Sequence, residues 1–199
     1  MASSESVGEM ELRGRLDAVV RASPSLMTVL RTLRDLNLPD WRIASGAVFQ
    51  TVWNALTDRP PDHGIKDYDA LYFDPDASWE AEDTVIRRVV AAFPPELSAK
   101  VEVRNQARVC LWFEAKFGAP YAPLACTDEA LERFLTPANA LGVRLDPDGR
   151  LDIAAPFGLA DCFAMRLRPN LTPSFSAANY AGITQRLKAR WPEAVVQQP

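Results

Sequence analysis

The segment Ile65-Lys66-Asp67-Tyr68-Asp69-Ala70-Leu71-Tyr72-Phe73 carries two carboxylates two positions apart within an apolar, β-prone run. On a strand, alternate side chains point the same way, so Asp67 and Asp69 face one space. Two like charges at that separation repel and hold protons more tightly unless a positive group lies between them. A hard divalent cation with oxygen ligands is the usual solution, with magnesium or manganese the natural candidate. The alternative is that both acids are solvated on an exposed strand face. Acids are poor strand formers and the neighbours on both sides are apolar, which favours the metal-binding reading.

Other residues could complete such a centre. Ile43-Ala44-Ser45-Gly46-Ala47 leads from a short apolar run into a helical period, offering backbone N–H groups and the positive end of a helix dipole to a phosphate. A lone glycine at such a turn commonly only makes the turn, so its weight comes from the acids downstream. Ser45, Gly46 and Ala47 are therefore phosphate-binding candidates, with Lys66 beside the acid pair. Glu102, between Val101 and Val103, could be a third ligand or a base for an attacking hydroxyl; by itself it would be a surface acid on an edge strand. Arg104 and Arg108 follow, and guanidinium suits phosphate oxygens, although both could equally bridge loops. His63 is the only histidine, which excludes a multi-histidine metal site. In its Pro-rich loop it reads as solvated.

These residues need a scaffold. Leu12, Leu16, Val19 and Val20 predict one helix; Leu26, Leu30 and Leu33, after Ser23-Pro24, predict another. Trp41 to Ala44 reads as a strand, Val48, Val52 and Leu56 as a helix, and Arg59 to Gly64 as a loop beside the substrate. A strand over Ile65 to Phe73 precedes a helix capped by Ser78 and ended by Pro94-Pro95. Lys100 to Val103 reads as a strand. Arg108 to Phe117 fits a strand or a buried helix, and the helix is taken. A short helix capped by Thr127, a hairpin around Asp146-Pro-Asp-Gly149, a helix over Gly158 to Arg168 and a last helix bearing Tyr180, Ile183, Leu187 and Trp191 follow. Val195 to Pro199 reads as a frayed tail. The expected organisation is N-terminal helices (1–40), a core (41–125) and a C-terminal hairpin and helical extension (126–199) packed with it.

The 199-residue chain is 48% hydrophobic, enough for a sizeable core. Cys110, Cys126 and Cys162 are odd in number and far apart, reading as reduced core residues. No basic leader followed by an apolar run and no long apolar stretch occurs, so a cytoplasmic protein without a membrane partner is expected. The formal charge of -4 argues against extended nucleic-acid binding, which requires excess Lys and Arg.

The glycine turn, the helix after it, Asp67-x-Asp69 and Glu102 together resemble the nucleotidyltransferase (DNA polymerase β-like) superfamily. The longer strings IKDYDALYFD, VEVRNQARVCLWFEAKFG and GVRLDPDGRLDIAAPFGLADCFAMRLRPN resemble its bacterial nucleotidyltransferase-like family. The resemblance implies an α+β fold, a mixed β-sheet packed against helices with a C-terminal hairpin and helices. It also implies that Asp67, Asp69 and Glu102 hold magnesium, that a nucleoside triphosphate is a substrate, and that a nucleoside monophosphate passes to an acceptor hydroxyl. Ala47 stands where that pattern has serine. A non-catalytic module binding a nucleotide or a protein partner is the second reading, and a metal-dependent hydrolase the third.

Overall fold

The computed structural model describes residues 4–199. Helix α1 (Ser4–Arg21) and helix α2 (Pro24–Leu36) follow one another across a short turn at Ala22-Ser23. Proline at the first position of α2 gives up an N–H that a helix start leaves unpaired anyway. Asn37, left-handed at φ 50°, ends α2 with its N–H on the Arg34 carbonyl. Leu26, Leu30 and Leu33, at helical spacing, are fully buried.

Strand β1 (Arg42–Ala44) feeds helix α3 (Gly46–Leu56), and strand β2 (Tyr68–Tyr72) is followed by helix α4 (Trp79–Ala92) and the short α5 (Pro95–Ser98). The Ser78 hydroxyl caps α4 by accepting from the Ala81 N–H, as its sequence predicts. Strand β3 (Val101–Asn105), a 3₁₀ segment (Gln106–Leu111) and α6 (Phe113–Phe117) come next, so the ambiguous Arg108 to Phe117 run is helical in two short pieces, but it is not the buried helix expected, since no residue of α6 is buried. Helix α7 (Asp128–Leu131), a 3₁₀ turn (Pro137–Asn139) and strands β4 (Gly142–Leu145) and β5 (Leu151–Ala154) lead to α8 (Ala160–Phe163), β6 (Arg166–Leu167), α9 (Ala177–Arg190) and β7 (Val195–Val196).

The main sheet has the order β3-β2-β1-β4-β5. Strands β2 and β3 run parallel, and β1–β2, β1–β4 and β4–β5 run antiparallel. Residues in register share a face, so the sheet divides chemically. Ile43, Tyr68, Ala70, Tyr72, Val103 and Val143 belong to the buried core with the helices. Asp69, Glu102, Arg104 and Arg42 are on the opposite, polar face. This is the expected α+β architecture of a mixed sheet packed against helices.

Trp53 of α3 and Trp191, just after α9, are both fully buried and meet edge to face at 5.6 Å. Each indole N–H is satisfied, Trp53 on the Cys162 carbonyl at 2.9 Å and Trp191 on Asn54 Oδ1 at 3.1 Å. At about 25 cal/mol per Å² and roughly 200 Å² of surface each, the two rings stabilise the fold by about 5 kcal/mol apiece before entropy is counted.

Five expectations about the elements and the core need correction. The strand around the acid pair begins at Tyr68 rather than Ile65, because residues 65–67 have no sheet partner. Thr127 does not cap α7: its backbone is helical, and its hydroxyl and N–H bind Asp40 instead. The helix expected over Gly158 to Arg168 stops at Phe163, where Met165 turns left-handed at φ 50° and Arg166 starts β6. The tail does not fray: Val195 and Val196 pair in parallel with β6, and the Tyr180 phenol lies 2.8 Å from the Leu167 carbonyl and 2.7 Å from that of Gln197. Of the cysteines, only Cys162 is a core residue; Cys110 and Cys126 are half-buried, and all are free.

Candidate active site

The turn from β1 into α3 is where backbone geometry is most constrained. Ser45 adopts φ 51°, ψ -115°, a conformation that costs a residue with a Cβ energy and that tends to accompany function. Its N–H is fixed on the Leu141 carbonyl at 2.9 Å, and its own carbonyl accepts from Val48 and Phe49. The N–H groups of Gly46 and Ala47 thus have no helical acceptor and stand at the positive end of an 11-residue helix. A Cβ on Gly46 would come within 3.3 Å of Gln50 Nε2, so the absent side chain leaves this turn open.

Asp67 and Asp69 line one cavity of about 220 Å³ together with Ser45, Gly46 and Lys66. Asp69 is half-buried and in register with Glu102 on the parallel neighbour strand. Burial, then the charges of Asp67 and Glu102, push the Asp69 carboxyl up to about 6, against the opposing pull of Arg104. Asp67 reaches this cavity from the unpaired residues before β2 rather than from the strand itself.

The remaining wall comes from the far end of the chain. Arg186 and Arg190 of α9 border the same cavity. They are four residues apart, hence on one face of the helix. Arg190 Nη1 donates to the Gly64 carbonyl at 2.8 Å. Gly64, at φ 76°, permits this approach: a Cβ there would lie 2.5 Å from Arg190 Cδ. The loop carrying Gly64 is in turn tied to α3, since Asn54 Nδ2 donates to the carbonyls of Pro61 and His63. His63 is exposed, its ring edge-on to Trp191.

Other candidates are differently placed. Glu102, on edge strand β3, has a side chain 57% exposed and lies outside the cavity lining, with Arg104 Nη2 3.7 Å away. Among the described residues no three His, Cys, Asp or Glu side chains gather as a metal site, so the acids amount to a pair with a third carboxylate one strand over. Arg104 shares the polar face, with Nη1 on its own strand's Val103 carbonyl. The Ala47 methyl is buried away from the cavity. Arg108 is a correction. It follows the opposite end of β3, about 10 Å along the strand from Glu102. There it forms an ion pair with buried Glu82 at 2.8 Å, its Nε–H not aligned on the oxygen, and donates to the Ala77 carbonyl while stacking on Trp79. It ties α4 to the 3₁₀ segment after β3, away from the acid-lined cavity.

Sequence reading missed Arg186, Arg190, Gln50 and Asn139, which also border the cavity. For the arginines a signal existed, since they flank Leu187 on the face that carries Ile183. Nothing in the sequence marks Asn139.

A family model described as nucleotidyltransferase matches residues 31–196. No curated protein matches. Among solved structures, one described as an NMR structure that reveals a CCA-adding enzyme head domain is similar, with 26% identity and a TM-score of 0.71 over 92% of this chain and 95% of that one.

Proposed function

We infer, from the premise that the chain belongs to the nucleotidyltransferase family, that it transfers a nucleoside monophosphate from a nucleoside triphosphate to an acceptor hydroxyl. The observation that carries this reading is the single cavity in which the acids Asp67 and Asp69 meet the α3 turn at Ser45-Gly46 and the cations Lys66, Arg186 and Arg190. A polyphosphate needs donors along its length, and an acid pair beside it is useful as the holder of a cation between the two.

The residues suit a hard cation. Magnesium characteristically takes one or two protein carboxylates and completes its shell with phosphate oxygens and water. Asp67 and Asp69 offer such a pair, and the raised proton affinity of Asp69, which comes first from burial and then from the charges of Asp67 and Glu102, is what a bound dication would offset. When bound, magnesium would shield the phosphates and polarise the phosphorus under attack.

In this reading the free N–H groups at the α3 turn and the Lys66, Arg186 and Arg190 side chains bind the β- and γ-phosphates. The acceptor oxygen forms a bond to the α-phosphorus as the bond from that phosphorus to the bridging oxygen breaks. Pyrophosphate leaves with that electron pair. Glu102, solvent-open beside Asp69, takes the acceptor's proton and passes it to water. Most of the rate enhancement comes from alignment and charge rather than from a covalent intermediate.

The test is incubation with α-labelled nucleoside triphosphates, magnesium and a panel of hydroxyl acceptors. Label transfer with equimolar pyrophosphate is expected, and it should be lost in Asp67→Asn. Inorganic phosphate in place of pyrophosphate points to a hydrolase, and nucleotide binding without turnover points to a binding module.

A further inference from the structure

A second, larger cavity of about 520 Å³ adjoins the first and shares Ser45, Asn139, Ile183 and Arg186 with it. Its far wall is aromatic: Phe113, Phe117 and Phe134 line it. Phe113 packs on Phe117 at 4.7 Å and on Tyr121 at 4.4 Å between ring centroids, and Phe117 remains 41% exposed. The cavity also has a cation in Arg133, but that guanidinium lies over the Tyr121 ring and donates to the Ala122 carbonyl. Arg133 is thus held against Tyr121 and the backbone at the aromatic end, while Arg186 stands at the junction with the acid-lined cavity. A nucleotide has phosphates at one end and a flat uncharged ring at the other.

The junction holds an unanswered polar group. Asn139 is 5% exposed, and its buried Oδ1 has no hydrogen-bond partner among the described residues. A buried acceptor without a donor is destabilising and uncommon. The 3₁₀ turn Pro137–Asn139 fixes it between the phosphate-side cavity and the aromatic one. A ligand that crosses this junction must bring a donor there, and in a nucleotide the group between phosphates and base is the hydroxyl-bearing ribose.

We propose that the aromatic cavity holds the nucleoside half of the triphosphate, with the base against Phe117 and a ribose hydroxyl donating to Asn139 Oδ1. Asn139 would then be a specificity-determining residue that favours ribonucleotides. The volume lies within the range of pockets that enclose small ligands, and base stacking on an exposed aromatic ring is tolerant of sequence and strong enough to matter.

This inference rests on the triphosphate reading of the neighbouring cavity, and the experiment separates the two. Binding of inorganic tripolyphosphate, ribonucleoside triphosphates and 2′,3′-dideoxynucleoside triphosphates is measured by calorimetry in magnesium for wild type, Asn139→Ala and Phe117→Ala, with melting temperatures as a control for folding. Wild type should bind ribonucleoside triphosphate at least tenfold more tightly than tripolyphosphate and about tenfold more tightly than the dideoxy analogue. Asn139→Ala should abolish the second ratio, and Phe117→Ala should weaken the nucleotide about tenfold with tripolyphosphate unchanged. Equal affinity for tripolyphosphate and nucleotide overturns the proposal and leaves the phosphate site standing. So does a Phe117→Ala variant that binds nucleotide like wild type, because the cavity then belongs to the acceptor. Failure of both nucleotide and tripolyphosphate to bind removes the underlying reading itself.

Discussion

Replacing Asp69 by Asn should stabilise the ligand-free protein, and the gain should depend on pH. Burial and the neighbouring acids raise the Asp69 carboxyl from 3.8 to about 6. Holding it ionised in the folded state therefore costs about 3 kcal/mol relative to the unfolded chain, at 1.36 kcal/mol per tenfold change in proton affinity. A group that binds its proton more tightly when folded helps least where it is ionised. Below about pH 4 Asp69 is protonated in both states and contributes no difference. Its penalty grows between pH 4 and pH 6 and is constant above. Asn is neutral throughout and nearly the same shape. Thermal melts of wild type and Asp69→Asn should thus coincide near pH 4 and separate by roughly 6–12 °C at pH 8, taking 2–4 °C per kcal/mol for a chain of this size. Magnesium with nucleoside triphosphate should close or reverse the gap, because ligand binding stabilises only the protein that retains the site. An advantage that is the same at pH 4 and pH 8, or absent at pH 8, would refute the reasoning that Asp69 is held charged against its surroundings.

Two further outcomes follow from the geometry. Arg108→Met leaves Glu82, 6% exposed, without its ion-pair partner; chemical denaturation should show a loss of about 3–5 kcal/mol, while variant that remains folded should bind nucleotide like wild type. Gly64→Ala forces a Cβ at φ 76° to within 2.5 Å of Arg190 Cδ; stability should fall by about 1–3 kcal/mol, and nucleotide affinity should drop with it, whereas an unchanged affinity would mean that Arg190 does not grip phosphate.

What the sequence disclosed follows the range of the forces involved. The amphipathic helices, the Ser78 cap and the β4–β5 hairpin are set by neighbours within a few residues, so periodicity and turn chemistry sufficed. The acid pair was legible from its spacing in an apolar run, although only Asp69 sits on the strand and Asp67 reaches the same cavity from the unpaired residues before it. Thr127 failed because a contact 87 residues away, to Asp40, outcompetes the local cap. Val195-Val196 failed similarly: a two-residue strand has no period, and only β6 makes it one. Arg108 was misassigned because Asp69 and Glu102 lie near the N-terminal ends of β2 and β3, whereas a residue following β3 lies at its far end, where Glu82 of α4 takes it. Asn139 carried no signal, since its one distinctive property, a buried oxygen without a donor, exists only after folding.

The wall of the cavity that carries Arg186 and Arg190 has a kinetic consequence. The acids and the α3 turn belong to residues 45–69, but the Arg190–Gly64 bond spans 126 residues and the Trp191–Asn54 bond 137. Loop closures of that length are slow relative to local pairing. The sheet must also wait for β4, because β1 lies between β2 and a strand that begins at Gly142. A refolding chain therefore gathers its negative charges early and its compensating arginines late. Polyphosphate capture during refolding would mark the moment α9 docks, and it should lag behind the burial of Tyr72 and Ile43 in the sheet.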